Sequence, residues 1–173
     1  MGLWADLQLP PARTGQAQRA LRAAAASAAG ARVASRVAAP LDTAVRRVTR
    51  GRTATEVLAG LPTVVLTTRG ARTGGERRSH LLAVPCGEDV AVIGSNFGGE
   101  RTPGWVHNLR AGATAAVGYR ERSVAVTARE LDGEEAEQVW TTAGALYAGY
   151  PAYRQRAAHR TITVWLLQPA PPG

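Results

Sequence analysis

Lysine is absent from this chain of 173 residues, and cysteine, methionine and phenylalanine each occur once. All 21 basic residues are therefore arginines. The single cysteine, Cys86, excludes an internal disulfide, which is typical of proteins in a reducing compartment. No uninterrupted apolar run approaches the ~18 residues of a membrane-spanning helix. We therefore expect a cytoplasmic protein.

The signature motifs of several enzyme classes are also missing. The sequence contains no P-loop, no GxGxxG after a strand and no GxSxG nucleophile elbow. The three histidines lie far apart, and neither a zinc-type Cys/His spacing nor an HExxH motif occurs. The sequence therefore gives no support for a nucleotide hydrolase, a Rossmann dehydrogenase or a serine hydrolase. We also expect no metal centre.

The basic excess is concentrated in residues 1–53, which carry nine arginines against two acidic residues. Residues 54–173 carry twelve arginines against eleven acidic residues. Leu41, Val45 and Val48 recur at helical spacing after Pro40, which predicts an amphipathic helix. We expect residues 1–53 to form a basic, Ala/Arg-rich helical arm. It either packs on the rest of the chain or makes peripheral contact with an anionic membrane surface; nucleic acid is not an expected partner.

Residues 54–173 read as one domain of short strands joined by turns. The stretches LPTVVLTTR, RSHLLAVPCG and DVAVIGSN predict three successive strands, and TPGWVHNLRAG predicts a helix with Thr102 as N-cap and Pro103 at its first position. ATAAVGYR and RSVAVTARELD predict a further hairpin, GEEAEQVWTTAGALYAGY a second helix, and TITVWLLQP a last strand. Hairpins in place of crossovers indicate a mainly β (α+β) fold, a small antiparallel barrel with short flanking helices.

Three polar segments carry the candidate chemistry. In the turn TTRGARTGGERRS, Arg72 and Arg77 could grip a phosphate while the amides of Gly74 and Gly75 approach it closely; a solvated hairpin turn is the alternative. Gly94, Ser95 and Asn96 follow the third strand and precede the helix at Pro103, which is a donor-rich concavity. The third segment holds three tyrosines at a spacing of three residues: Tyr147, Tyr150 and Tyr153.

In this order and spacing, LPTVVLTTRGARTGGERRSHLL, GSNFGGERTPGWVHNL and LYAGYPAYRQRAAHRTITVWLLQP resemble the deazaflavin (coenzyme F420)-dependent nitroreductase family of split β-barrel oxidoreductases. The likeness covers roughly residues 61–169. It implies F420 as cofactor, with FMN less favoured, and hydride transfer to an enone, a quinone or a nitro compound. Monomer and homodimer both remain open. A non-catalytic flavin, F420 or tetrapyrrole carrier and an FMN-dependent reductase are the alternatives.

The resemblance also implies roles for individual residues. Tyr150 and Ser95 are the expected catalytic groups, as donors to the oxygen that gains negative charge. The residues implied to bind the cofactor are Ala71, Arg72, Thr73, Gly74, Arg77, Ser79, Gly94, Ser95, Asn96, Pro103, Trp105, Asn108, Tyr147, Tyr150 and Tyr153. Three residues depart from the family pattern. Asn96 replaces a lysine of some relatives, and Ala71 replaces a basic residue. Phe97 stands where relatives have glycine, so we expect it to narrow the pocket.

Overall fold

The computed structural model describes residues 2–12, 15–27, 59–112 and 114–171, together with positions 29, 33 and 55. The helices are α1 Leu3–Asp6, α2 Gln16–Ala26, α3 Gly104–Arg110, α4 Gly133–Leu146 and α5 Gly149–Arg156. The strands are β1 Thr63–Arg69, β2 Glu76–Leu82, β3 Val84–Cys86, β4 Asp89–Ile93, β5 Ala115–Tyr119, β6 Arg122–Leu131 and β7 Val164–Pro169. A short 3-10 turn, Asn96–Gly98, follows β4.

The seven strands form one antiparallel sheet that curls into a split barrel, in the order β2-β1-β5-β6-β7-β4-β3. The predicted fold class is therefore confirmed. Tight links between neighbours explain the antiparallel pairing. The β3–β4 hairpin turns through Gly87 with φ +61°, and the β5–β6 hairpin turns through Arg120 with φ +54°.

Strands β4 and β7 are buried on both faces. Val92 lies opposite Trp165 and both point into the barrel core, whereas Ala91 lies opposite Leu166 and both face a second core beneath α4 and α5. Because side chains alternate along a strand, an apolar residue at every position needs a packing layer on each side. The second layer brings the tyrosine-bearing helix against the outer face of the sheet.

The first residues of the chain fill the barrel core. Leu3 and Leu7 are fully buried, and Leu9 is almost so. The backbone nitrogen of Leu3 donates to Asp89 Oδ1 at 3.1 Å, and that of Trp4 donates to the Glu88 carbonyl at 3.0 Å. We call residues 2–9 the N-terminal plug. The sequence placed them in the arm, but the structure packs them inside the barrel because the curled sheet leaves apolar surface that needs cover.

A buried arginine of α2 bonds to the barrel domain at three points. Arg22 donates from Nε to the Ala59 carbonyl at 2.8 Å and from Nη2 to the Gly60 carbonyl at 3.2 Å. Its Nη1 donates to the carbonyl of Leu146, the last residue of α4, at 3.1 Å. Burial lowers the pKa of Arg22 from its ordinary value, yet a guanidinium stays charged at neutral pH. The arginine therefore holds α2 close to α4 and α5.

Three predicted elements differ from the structure. The second predicted strand divides at Ala83 into β2 and β3, because Ala83 N bonds to the Pro62 carbonyl. The long C-terminal helix divides into α4 and α5 around Tyr147, whose φ of −147° and ψ of 108° are extended. Helix α3 begins at Gly104 with Pro103 as its N-cap, so Thr102 does not cap it. At its other end Gly112 has φ +73°, as a helix-terminating glycine requires.

The predicted amphipathic helix after Pro40 and the boundary between residues 53 and 54 lie outside the described residues. Both remain predictions. Among the residues that the structure does describe, none belongs to a helix long and apolar enough to cross a membrane.

The N-terminal plug predicts a loss of stability on truncating a core side chain. Leu7→Ala removes buried methyl groups from a fully buried site, so we expect its free energy of unfolding to fall by about 2–5 kcal/mol. Ala5→Ser, at an exposed position of α1, is the matched control and should change it by less than about 0.5 kcal/mol. Urea unfolding measures both; equal stabilities would show that the plug lies outside the cooperative core.

Candidate active site

A groove lies between the β1–β2 turn and helix α3. Its volume is about 550 Å³. The turn spans residues 70–75 and is closed by two backbone bonds of 2.8 Å, from Gly70 N to the Gly75 carbonyl and from Gly74 N to the Gly70 carbonyl. Gly74 has φ +67°, where a side chain would be strained. The glycines thus set the shape of the turn that forms one wall of the groove.

Asn108 ties this turn to the helix. It is 8% exposed. Its Nδ2 donates to Thr68 Oγ1 at 2.9 Å, and its Oδ1 accepts from the backbone nitrogen of Ala71 at 3.0 Å. One buried amide therefore contacts β1, the turn and α3 together, and its loss would leave buried polar groups unpaired. Asn108 both lines the groove and holds its two walls in register.

The arginines of the groove differ in the hydrogen bonds and ion pairs that they form. Arg77 donates to Thr73 Oγ1 and to the Glu76 carbonyl, each at 3.3 Å, and Arg78 pairs with Glu76 at 2.8 Å. Arg72 forms no hydrogen bond or ion pair with any residue that the structure describes. An exposed guanidinium with its donors available, beside a glycine turn, suits a phosphate or a carboxylate.

A second part of the candidate site is the segment of residues 94–99 that follows β4. Arg160, just before β7, donates to three of its carbonyls: Gly99 at 3.0 Å, Gly94 at 3.2 Å and Ser95 at 2.8 Å. Burial lowers the pKa of Arg160, since removing a cation from water disfavours its charged form. Arg160 thereby fixes the path of the segment that carries Ser95.

Asn96 and Phe97 occupy an uncommon backbone conformation within this segment. Their φ angles are +45° and +57°, in the left-handed region that residues with a side chain rarely adopt. Asn96 Nδ2 donates to the Arg101 carbonyl at 3.0 Å, which supports the turn. The Phe97 ring meets Tyr153 edge-on, with the ring centroids 6.0 Å apart. The unusual backbone thus directs an aromatic ring onto the tyrosines.

The three tyrosines pack against one another as one cluster. Each pair of rings meets edge to face at 5.8–5.9 Å between centroids. The hydroxyls of Tyr147 and Tyr153 share a hydrogen bond of 3.0 Å, and Tyr150 packs on Trp140. Burial is the main cause that raises the pKa of all three phenols. They therefore remain protonated donors at neutral and mildly alkaline pH.

Gly149 makes room for this cluster. A Cβ at that position would overlap the Tyr147 ring. Glycine is therefore required sterically at the junction of α4 and α5, where the chain turns to place the three phenols together. The spacing of the tyrosines predicted one helical face, but they meet because the helix is interrupted there.

The predicted site residues fall into separate groups in the structure. Seven of them line the groove: Ala71, Arg72, Thr73, Arg77, Ser79, Trp105 and Asn108. Gly74 belongs to the turn and Pro103 caps α3, but neither lines the groove. The remaining residues, Gly94, Ser95, Asn96 and the tyrosines, lie in the segment after β4 and in the tyrosine cluster, which pack on each other through Phe97.

Sequence reasoning did not find Arg156 and Arg160, although both contact the segment of residues 94–99. Nothing in the local sequence separates them from the other arginines. The only signal was their position between the last tyrosine and the last strand. No group of three or more potential metal ligands occurs among the residues described.

Comparison with known proteins decides the family. A family model of F420H(2)-dependent quinone reductases matches residues 39–169. The chain belongs to this family. An F420H(2)-dependent quinone reductase of Mycobacterium tuberculosis is 28% identical over 130 residues, which are 73% of this chain and 87% of the relative. A putative F420H(2)-dependent quinone reductase of Mycobacterium bovis matches equally well.

Two solved structures resemble this chain, and one of them is an F420-dependent reductase. An F420-H2 dependent reductase, FDR-A, is 33% identical and covers 61% of this chain and 92% of its own length, with a TM-score of 0.55. A protein described as a domain-swapped dimer is 31% identical and covers 72% of this chain and 93% of its own length, with a TM-score of 0.57. The predicted resemblance to F420-dependent split-barrel reductases is confirmed.

The reductase is therefore an oxidoreductase whose cofactor is coenzyme F420. The residues present suit this group. The coenzyme carries a phosphate and an acidic tail, and the groove offers the unengaged Arg72 beside a glycine turn. It would thus supply anionic groups to the one groove arginine that lacks a partner among the described residues.

The three bonds of Arg160 predict a measurable role in stability. Arg160→Ala leaves the carbonyls of residues 94, 95 and 99 without this donor, and we expect the free energy of unfolding to fall by about 2–3 kcal/mol. Arg154→Ala removes an exposed ion pair with Glu137 and should cost no more than about 1 kcal/mol. Urea unfolding compares them; a similar small loss in both would mean that the segment keeps its path without Arg160.

Proposed function

We propose that the reductase transfers a hydride from reduced F420 to a quinone. The observation that carries this proposal is the tyrosine cluster, in which phenol hydroxyls lie among the aromatic rings of Phe97 and Trp140. A planar acceptor with carbonyl oxygens suits such a site, since rings pack on rings and phenols donate to oxygen. The names of the related quinone reductases support the same acceptor class.

In this proposal the groove binds the cofactor. Arg72 and Arg77 pair with its phosphate and acidic tail, and Ala71, Thr73, Gly74 and the residues of α3 complete the grip. Charge-assisted hydrogen bonds from arginine are short and directional, so they orient the coenzyme as well as hold it. Ser79, Gly94, Asn96 and Pro103 are proposed to contact the same molecule.

The acceptor end supplies positioning and a proton. Reduced F420 supplies a hydride, which carries two electrons in one step. One quinone and one reduced coenzyme give one hydroquinone and one oxidised coenzyme, so two hydrogens move and no further reductant is needed. We assign Tyr150 and Ser95 as donors to the quinone oxygen that gains negative charge. The high pKa of the buried Tyr150 keeps its proton available before the transfer.

The experiment separates cofactor binding from turnover. Arg72→Ala should weaken F420 binding about 10- to 150-fold, the equivalent of one charged hydrogen bond. The matched control is Arg69→Ala, an exposed arginine at the end of β1, three residues before Arg72. Tyr150→Phe should lower kcat about 10²-fold or more and leave F420 affinity within about twofold. Tyr119→Phe, a buried tyrosine of the other core, controls for loss of a hydroxyl.

Acceptor class is tested on the same enzyme with a quinone, a cyclic enone and a nitroaromatic compound. We expect kcat/KM for the quinone to exceed the other two by about tenfold or more, because only the quinone offers two carbonyl oxygens on a planar ring. Faster oxidation of reduced F420 by the enone or by the nitro compound would overturn the quinone assignment and leave the cofactor assignment in place.

We further infer that the reductase forms a homodimer. The support is its likeness to a solved protein described as a domain-swapped dimer. The N-terminal plug is a short segment that packs into the core, which is the kind of element that protomers can exchange. Light scattering after size-exclusion chromatography should give about twice the mass of one chain; a single-chain mass over a wide concentration range would overturn this inference.

A further inference from the structure

Arg156 is enclosed between the tyrosine cluster and the 3-10 turn. Its guanidinium carbon lies 5.0 Å from the centre of the Tyr153 ring, a cation–π contact. On its other side is Gly98, where an added Cβ would come within 3.1 Å of Arg156 Nε. The glycine therefore allows the turn to approach the guanidinium closely. Arg156 lies against the two elements that form the proposed acceptor site.

Two of the three guanidinium nitrogens have no acceptor among the residues that the structure describes. Nη1 donates to the Ala26 carbonyl at 3.3 Å, a long bond. Nε and Nη2 are buried, and no residue in the described part of the chain accepts from either of them. Buried charged donors are normally paired, because an unmade hydrogen bond to such a group is costly. An unpaired guanidinium beside a binding site indicates that a ligand supplies the acceptor.

The surroundings of Arg156 favour an oxygen that carries negative charge. The hydroxyls of Tyr147 and Tyr153 bond to each other nearby, and both are protonated at neutral pH. The positive charge of Arg156 partly opposes the rise in the pKa of both phenols that burial causes. A cation next to phenols makes these hydroxyls better proton donors and stabilises an anion that accepts from them.

The 3-10 turn also suggests how an acceptor reaches this point. Asn96 and Phe97 hold two successive left-handed conformations there. Such backbone conformations are strained and cluster at binding sites. A shift of the turn would move the Phe97 ring from Tyr153 and the Gly98 backbone from Arg156 together. The two unpaired nitrogens therefore lie beside one short segment of strained backbone.

We propose that Arg156 binds the acceptor oxygen that becomes negatively charged on hydride transfer, through Nε and Nη2, and so determines which acceptors the enzyme reduces. This inference rests on the proposed quinone reduction. The hydride adds to the quinone ring, the oxygen bound by Arg156 carries the resulting negative charge, and a neighbouring phenol protonates that oxygen. Tautomerisation then moves the added ring hydrogen to the second carbonyl oxygen and completes the hydroquinone. The phenol regains its proton from solvent, which receives the proton that the reduced coenzyme releases on oxidation. Arg156 itself neither gains nor loses a proton.

A cation placed this way acts mainly on the charged state. A neutral quinone gains little from Arg156, whereas the oxygen gains a full charge-assisted pair as the hydride arrives. Interactions that strengthen only during the reaction raise kcat and leave ground-state affinity nearly unchanged. Arg156→Gln should therefore reduce kcat strongly and KM little, a division that a packing role would not produce.

Binding of two stable naphthoquinones tests the proposal without turnover. 2-Hydroxy-1,4-naphthoquinone is an anion at neutral pH and resembles the charged state, and menadione is its neutral counterpart. In complex with oxidised F420, Arg156→Gln should weaken binding of the anion about tenfold or more and of menadione less than about twofold. Arg156→Lys keeps the charge but loses the planar guanidinium, so its affinity for the anion should lie between that of the wild type and that of Arg156→Gln. Arg129→Gln, an exposed arginine of β6 paired with Glu135, is the matched control.

Other outcomes overturn the proposal. Equal weakening of both naphthoquinones would show that Arg156 serves packing, and unchanged binding of the anion to Arg156→Gln would show that it contacts no acceptor oxygen. Failure of the wild-type complex to bind the anion would have the same meaning. F420 affinity is measured in every variant by fluorescence. Anion binding with no quinone turnover in the wild type would contradict the proposed function and leave the role of Arg156 intact.

Discussion

The pairing of β4 with β7 is the contact on which the rest of the structure depends. Both strands are apolar on both faces, so their pairing gives the molecule two cores at once. The ladder continues past Ile93, where the Gly94 nitrogen donates to the Thr163 carbonyl at 2.8 Å. This bond sets the start of the segment with Ser95 next to the residues that precede β7, among them Arg160. The proposed acceptor site is thus an extension of the sheet.

The two halves of the candidate site are held by different means. Around the groove, one neutral amide, Asn108, joins the strand, the turn and the helix, and leaves Arg72 available for an anion. Around the tyrosine cluster, the half-buried Arg160 and Arg156 contact backbone carbonyls and an aromatic ring. Exposed cations suit the charged tail of a coenzyme, and enclosed cations suit charge that appears only during a reaction. The electrostatics therefore match a division between cofactor grip and acceptor chemistry.

Local patterns were sufficient for much of the fold and part of the site. Runs of β-branched and apolar residues in TVVLTTR and DVAVI, the short links between strands and the helix signals at Pro103 and Gly112 predicted the strands, their antiparallel pairing and the helices. The groove residues from Ala71 to Asn108 were predicted because the turn and α3 each carry their own motif. The break at Tyr147 and the burial of the N-terminal plug were missed, since both depend on surfaces formed by distant strands.

The sequence by itself determined the class of the protein: an antiparallel barrel with an arginine-glycine turn, a donor-rich strand end and a tyrosine series, whose likeness to F420-dependent reductases the family comparison confirmed. Hydrophobic periodicity and turn residues depend only on neighbouring positions, so they can be recognised from the sequence alone. Only the tertiary structure decided that Arg156 and Arg160 both contact the segment of residues 94–99. Burial and the absence of an acceptor are properties of surroundings, and no pattern among 21 arginines could select these two.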